Sequence, residues 1–317
     1  MKILVTGASG FIGSAFVRRA LQNTDHSLVG MIRDTDQRYL DRLDGAAGHE
    51  RLRLVKADLL GDISGICEEV DAVVNFAART FVDHSIRDTL PFIEANVLGT
   101  HRILEDARRN KVGRFIQVST DEVYGAILEG AYSEDARLNP TNPYAASKAG
   151  ADAFAISYAH TYGMHTTVTR TENNYGPFQH PQKVFPAFVR RALAGERLPI
   201  YGDGKHRRQW LWVDDHVDAI LLLLERDYER GQVFHIAGSQ ELENLELAKR
   251  ILAAMGFKDW ESRVRFLDDH DVRPGHDRRY ALKCDKLRAL GWEPKVGLAE
   301  GIKRAVGWYL EHPGWLA

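Results

Sequence analysis

Short runs of aliphatic and β-branched residues punctuate the first half of the chain: Lys2 to Thr6, Ser27 to Ile32, Leu52 to Lys56, Ala72 to Asn75, Arg114 to Val118 and Thr166 to Arg170. They are apolar at most consecutive positions rather than at alternate ones, the pattern of strands covered on both faces. Between them, Ile12 to Gln22, Thr89 to Asn110 and Pro143 to Tyr162 carry apolar residues at helical spacing. Strands alternating with helices predict an α/β fold built on a doubly wound parallel sheet. Beyond Arg170 the texture changes. Asn173-Asn174-Tyr175-Gly176-Pro177 and Tyr201-Gly202-Asp203-Gly204 are loop chemistry, with a helix expected near Phe185 to Ala194 between them. The pattern therefore divides the chain into a sheet domain over 1–170 and a smaller C-terminal lobe over 171–317. Trp210 to Val213 and Val233 to Ile236 again read as strands, and the 210–238 segment is expected to rejoin the main sheet.

Composition narrows the class without changing that picture. With 317 residues, 44% hydrophobic and 27% charged, the chain can bury a full core. A formal charge of −2 gives no electrostatic case for nucleic acid or for an anionic membrane as partner. The most apolar run, Ala219 to Leu224, is too short to span a bilayer. Cys67 and Cys284 are too few for a disulfide framework and fit a reducing compartment. The first residues carry one Lys and a short apolar strand, which is not a signal-peptide pattern, so a cytoplasmic location is expected.

Candidate chemistry starts at the end of the first strand, where Gly7-Ala8-Ser9-Gly10-Phe11-Ile12-Gly13 opens a helix. Glycines there let backbone amides approach a pyrophosphate at the helix N-terminus, so Gly7, Gly10, Phe11, Ile12 and Gly13 are expected to hold a dinucleotide. The second strand ends in Ile32-Arg33-Asp34, without the acidic residue that commonly binds an adenosine 2′-hydroxyl. Arg33 could meet a 2′-phosphate, so NAD and NADP both stay open, while Asp58 is a candidate for the adenine edge. Further along, Tyr144 and Lys148 lie four apart on a helix and share a face, where an ammonium can favour phenolate. Asp121 and Glu122 stand at a strand end, where an open α/β sheet places its ligands, and two adjacent carboxyls suggest proton transfer beside an oxidised carbon.

These motifs, with Asn75-Phe76-Ala77-Ala78, Asn96-Val97-Leu98-Gly99-Thr100, Thr120-Asp121-Glu122, Leu198-Pro199-Ile200-Tyr201 and Arg273-Pro274-Gly275-His276-Asp277, resemble the extended short-chain dehydrogenase/reductase family. Within it the chain is most similar to the dTDP-glucose 4,6-dehydratases. The resemblance implies a Rossmann sheet carrying NAD and a C-terminal lobe that binds a nucleotide-diphosphate sugar, in a homodimer joined through the helices near 89–110 and 143–162. It implies Tyr144 as the group that takes the sugar O4 proton, Glu122 as the base at C5, Asp121 as the acid at C6, Thr120 beside O4 and Lys148 beside the nicotinamide ribose. Leu59, Ala77, Ala78 and Asn174 join Tyr144 and Lys148 around the cofactor. Thr80, Thr120, Asn173, Lys183, Val184, Pro199, Ile200, Tyr201, Arg208, Asn244, Arg273 and His276 would bind the nucleotide sugar.

The chain departs from that family pattern at Arg79, Thr80 and Phe81, where Glu, Ser and His are usual, at Glu172, where a small residue is usual, and at Gln209, where Asp is usual. A changed sugar, nucleotide or cofactor preference would follow. A nucleotide-sugar 4-epimerase or decarboxylase of the same fold would need Tyr144 and Lys148 but not the Asp121-Glu122 pair. A nonenzymatic nicotinamide sensor predicts a damaged Tyr144 or Lys148, and neither is damaged. Asp268-Asp269-His270-Asp271 with His276 and Asp277, and Asp214-Asp215-His216, read as polar loop or cap rather than as metal ligands.

Overall fold

The computed structural model describes residues 1–33, 37–268 and 277–317. In chain order the strands are β1 (Lys2–Thr6), β2 (Ser27–Ile32), β3 (Leu52–Lys56), β4 (Ala72–Asn75), β5 (Arg114–Thr120), β6 (Thr166–Thr171), β7 (Asn173–Tyr175), β8 (Leu198–Tyr201), β9 (Arg207–Trp212), β10 (Val233–Ile236), β11 (Glu241–Glu243) and β12 (Val264–Leu267). A seven-stranded parallel sheet runs in the order β10-β6-β5-β4-β1-β2-β3. The chain winds outward from β1 to β3 and then returns to β4 on the other side. That reversal makes a crevice at the carboxyl ends of β1 and β4, where such sheets take their ligands.

Both faces of the sheet are covered because its strands alternate side chains between two cores. Ile3 and Val5 pack with Phe16, Val217 and Ile220 on one face. Leu4 and Val73 pack with Ile103, Leu104 and Phe115 on the other. The smaller region has a separate core of Phe185, Ile200, Trp210, Trp212, Leu247, Ile251 and Tyr309.

Two expectations need correction. Val233–Ile236 does join the main sheet, beside β6, but the strand at Trp210 does not. It lies within β9, which pairs with β7 and β11 in a sheet of three. The cause is local: the chain breaks the β6 ladder at Glu172, and the strand after that break recruits β9 while Trp210 and Trp212 face the second core. Nor is 89–110 one regular helix. A short turn at Leu90–Phe92 leads into a π-helical stretch, Ile93–Leu98, before the α-helix Gly99–Arg109. The wide turn brings Asn96 inward, where its amide grips the Arg79 backbone at 2.8 and 3.0 Å and the Ser147 hydroxyl at 2.8 Å. Single π turns of this kind often mark functional sites.

Candidate active site

The glycine turn is built for close approach. Gly7 has φ +65°, and a Cβ there would lie 3.0 Å from the Ala77 nitrogen; one on Gly13 would lie 2.3 Å from the Gly7 carbonyl oxygen. Side chains at either position would push β1, the turn and β4 apart. Phe11 and Ile12 begin the Phe11–Asn23 helix, whose N-terminus has no side-chain cap, so its first amides and dipole fit a phosphate. The Thr6 hydroxyl accepts from the Ala77 amide at 3.1 Å, fixing the chain that carries Ala77 and Ala78 across the crevice. At its far end Arg33 is exposed just past β2 and Asp58 is exposed just past β3, next to buried Leu59. The Asp58 carboxylate accepts from Leu60 N at 2.9 Å, a turn that holds it in place.

The reacting groups meet where β5 ends. Thr120 closes the strand, and Asp121 to Tyr124 make one 3-10 turn whose first amides are capped by the Thr120 hydroxyl, which accepts from Glu122 N at 3.3 Å and donates to Asp121 at 3.1 Å. The Pro143–Tyr162 helix starts beside this turn because Asn142 caps it, its side-chain oxygen accepting from Ala145 N at 2.9 Å. The same Asn142 donates its amide to Glu122 at 3.1 Å. One residue therefore positions both the helix that carries Tyr144 and Lys148 and the Glu122 carboxylate. Sequence reasoning passed over it, although Asn-Pro before an apolar helix is a start signal. It also passed over Ser85, whose hydroxyl accepts from Tyr144 N at 3.1 Å.

Burial sets the proton affinities. Asp121 is 4% exposed, and desolvation followed by the Glu122 charge pushes its carboxyl up to about 7, against the pull of Arg208. Tyr144 is buried, and its phenol is held above the usual range first by desolvation and then by Glu122, with a hydrogen bond from Thr120 acting the other way. Lys148, also buried, is pulled down to about 8 by desolvation, opposed by Asp152. The Lys148 ammonium donates to the Val118 carbonyl at 2.6 Å, which fixes its side chain against the end of β5.

The candidate nucleotide-sugar residues are spread over three elements. Lys183 crosses from the smaller region to the sheet, its ammonium donating to the Thr80 carbonyl at 3.0 Å and lying 4.4 Å from the Phe81 ring centroid. That ring also packs on His84 and His180 at about 5 Å, so the apolar residue at 81 is part of a cationic and aromatic cluster. Val184 starts the Val184–Leu193 helix. Pro199 and Tyr201 of β8 are half-buried, whereas Ile200 points into the second core, 1% exposed; β8 turns alternate residues to opposite sides, so Ile200 cannot line the same wall.

Arg208 is buried, donates to the carbonyls of Arg207 at 2.7 Å and Asp277 at 2.8 Å, and lies 4.4 Å over the Tyr280 ring. Asn173 is half-buried on β7, and Asn244 opens a helix near His206. The Asn174 side chain is fully engaged inside the protein, donating to Thr171 and the Glu172 carbonyl and meeting His216 at 3.0 Å, so it braces the site rather than facing it. Arg273 and His276 lie outside the described residues, as do Asp269, His270 and Asp271. In the other acidic run, Asp214 accepts from Trp212, Asp215 from Val296 N, and His216 meets Asn174, three divergent directions.

A protein-family model described as GDP-mannose 4,6 dehydratase matches residues 4–305. A low-salt glycan biosynthesis protein, Agl12, of Haloferax volcanii is 44% identical over 98% of this chain and 99% of its own. A dTDP-glucose 4,6-dehydratase of Streptomyces niveus is 42% identical over 99% of this chain and 94% of its own. Among solved structures, the dTDP-glucose 4,6-dehydratase DesIV of Streptomyces venezuelae, with NAD and dTDP bound, superposes with a TM-score of 0.93 at 43% identity, covering 99% of this chain and 98% of that one.

Proposed function

The chain belongs to the GDP-mannose 4,6-dehydratase family, and from that premise we propose that it is an NAD-dependent dTDP-glucose 4,6-dehydratase. It is a hydro-lyase that converts the nucleotide hexose to its 4-keto-6-deoxy derivative with loss of water. NAD, when bound, supplies the acceptor and donor of a hydride, and Gly7, Gly13 and the uncapped helix start would hold its pyrophosphate. Tyr144, in its phenolate form, would take up the O4 proton as the C4 hydride leaves. Glu122, held by Asn142, removes the C5 proton that a ketone at C4 acidifies, and Asp121 gives its proton to the C6 oxygen as it leaves. Thr120 caps the turn that carries Asp121 and Glu122, beside Tyr144. The observation that carries this reading is buried Asp121 beside half-buried Glu122, next to Tyr144, with the Asp121 carboxyl pushed up to about 7 so that acid and base coexist near neutral pH.

We further propose a cytoplasmic homodimer. No helix among the described residues is long and apolar enough to cross a membrane, and both cysteines are free and buried. Leu90, Ile93, Leu98 and Phe154 are 58%, 52%, 45% and 38% exposed on the two helices expected to pair, a face whose burial a dimeric mass in light scattering would report. The function itself is tested with dTDP-glucose deuterated at C4. The expected product is one water lighter and carries the label at C6. An isomeric product of unchanged mass, or label washed into solvent, would overturn the dehydratase assignment in favour of epimerisation.

A further inference from the structure

One guanidinium joins the glycine turn to the region that carries the substrate candidates. Arg42 follows the short helix Gln37–Asp41, between β2 and β3, and is 3% exposed. Its Nη1 donates to the Ser9 carbonyl of the glycine turn at 3.1 Å, and its Nε donates to the Phe178 carbonyl, just past β7, also at 3.1 Å. The guanidinium lies 5.2 Å from the Trp315 ring centroid, and the Arg42 carbonyl accepts from Arg18 of the Phe11–Asn23 helix.

Resting on the dehydratase reading, we propose that Arg42 is a positioning residue for both ligands: its guanidinium sets the glycine turn that receives the NAD pyrophosphate and the 173–179 loop that presents Asn173 to the nucleotide sugar.

At the turn, the argument concerns one peptide plane. The peptide between Ser9 and Gly10 is held on both edges, since Gly10 N donates to the Gly7 carbonyl at 2.8 Å while Arg42 takes the Ser9 oxygen on the opposite side. A trans peptide points these two groups in opposite directions, so the plane cannot rotate without breaking a bond. Phe11 and Ile12, whose amides open the helix, follow directly. Ser9 is 8% exposed, so a carbonyl that loses this donor must turn to find another, and Gly10 turns with it.

At the loop, Phe178 has φ +66°, a left-handed backbone that is strained for a bulky side chain and persists only where the surroundings impose it. Arg42 holds its carbonyl, and its ring packs against the Arg18 guanidinium at 4.6 Å and against Trp308 and Trp315 at 4.5 and 5.4 Å. The next residue, Gln179, donates its side-chain amide to the Asn174 carbonyl at 2.8 Å, so the turn at Phe178 fixes the strand that carries Asn173. A guanidinium presents its donors in a rigid planar fork and can hold two carbonyls at a set separation. An ammonium on a flexible stem cannot impose that separation.

The test measures NAD affinity of the full-length protein by calorimetry, then the dependence of turnover on dTDP-glucose at saturating NAD. Arg42→Lys keeps the charge but not the fork. Its NAD affinity should fall roughly tenfold, the scale of one lost hydrogen bond from a charged group, and its KM for dTDP-glucose should rise by a similar factor with kcat near the parent value. Arg51→Lys is the structural control, because Arg51 also donates to backbone carbonyls, those of Leu21, Thr24 and His26, but at the far end of the same helix. It should lower the unfolding midpoint and leave NAD affinity and KM alone. Arg18→Met removes the donor on the Arg42 carbonyl and the cation over the Phe178 ring, and should show the Arg42→Lys losses in weaker form. Parent-like NAD affinity or a parent-like KM in Arg42→Lys overturns the proposal, as does an equal loss in Arg51→Lys. Where Arg42→Lys yields no folded protein, parent-like values in Arg18→Met overturn it instead. A parent that does not dehydrate dTDP-glucose counts against the function alone, since NAD binding needs no turnover.

Discussion

Strands β5 and β6 carry two buried polar clusters within a few residues of each other, and the two are built on opposite principles. At the carboxyl end, Asp121 and Glu122 gather with Tyr144, and no cation closes an ion pair on either carboxyl among the described residues. One step back along β6, Arg170 pairs with Asp152 of the long helix at 3.0 Å and reaches the Tyr124 hydroxyl, which in turn meets His235 at 2.7 Å. Both groups are desolvated, yet the first holds its charges unpaired and the second holds them matched. Unmatched buried charge shifts proton affinity and so makes acids and bases, whereas matched charge fixes where strands and helices meet. The Lys148 environment joins the two, since Asp152 supports its ammonium from one turn further along the helix.

Substitutions on either side should therefore fail in different currencies. The largest effect is expected at the strand end. Glu122→Gln keeps the bulk and can still meet Asn142, but it removes the base, so water loss should fall by roughly 10²- to 10⁴-fold while thermal stability stays near that of the parent. Oxidation at C4 should survive, seen as transient reduced nicotinamide in single-turnover absorbance. A Glu122→Gln protein that dehydrates at the parent rate would remove the distinction between the clusters from its functional side.

In the matched cluster the expected loss is structural. Arg170→Leu leaves Asp152 buried at 0% exposure without its ion-pair partner and with only the Lys148 ammonium to favour its charge, a change that typically costs ~3 to 5 kcal/mol of folding stability. Urea unfolding should show it as a lower midpoint with an unchanged slope. Arg170→Leu with Asp152→Leu should recover much of that loss, because the penalty comes from the orphaned charge rather than from the absent attraction. If the single variant is as stable as the parent, the pair is not what ties β6 to the helix.

How far each cluster can be read from the chain follows the same division. Local features were legible: the strand runs, the glycine turn, the four-residue spacing of Tyr144 and Lys148 and the adjacency of Asp121 and Glu122 all depend on neighbours in sequence. What stayed hidden depends on register across strands. That Thr120 pairs with Thr171, so that Asp121 and Glu172 both follow directly on the end of the ladder, is a property of the β5-β6 register and of no local pattern. Arg170 and Asp152 likewise meet across a helix-strand contact, and the strand at Trp210 was assigned to the wrong sheet because its apolar residues do not say which core they face. The bond from the Lys148 ammonium to Val118 likewise depends on how close the helix lies to β5, which the four-residue spacing does not say.

The smallest predicted effect sharpens the contrast through pH. His235 in the matched cluster and His216 behind Asn174 are both fully buried, and desolvation pulls each down to about 3. A histidine depressed in the folded state is neutral there and becomes charged only on unfolding. Its contribution to stability is thus complete above the unfolded value near ~6.5 and is lost progressively as pH falls from there toward the folded value. Near pH 5.5 the loss is on the order of 1 kcal/mol for each histidine, and it grows as pH falls further. Asp121 responds in the opposite direction, since its useful proton leaves as pH rises through about 7. Activity should accordingly fail on the alkaline side in protein that is still folded, and folding should weaken on the acid side in protein whose acid is still charged with its proton. His235→Asn, measured by urea unfolding at pH 7.5 and 5.5, should lower stability at both pH values but flatten the acid slope by about one histidine's share. A slope as steep as the parent's would place the acid sensitivity elsewhere and leave the matched cluster without a titrating member.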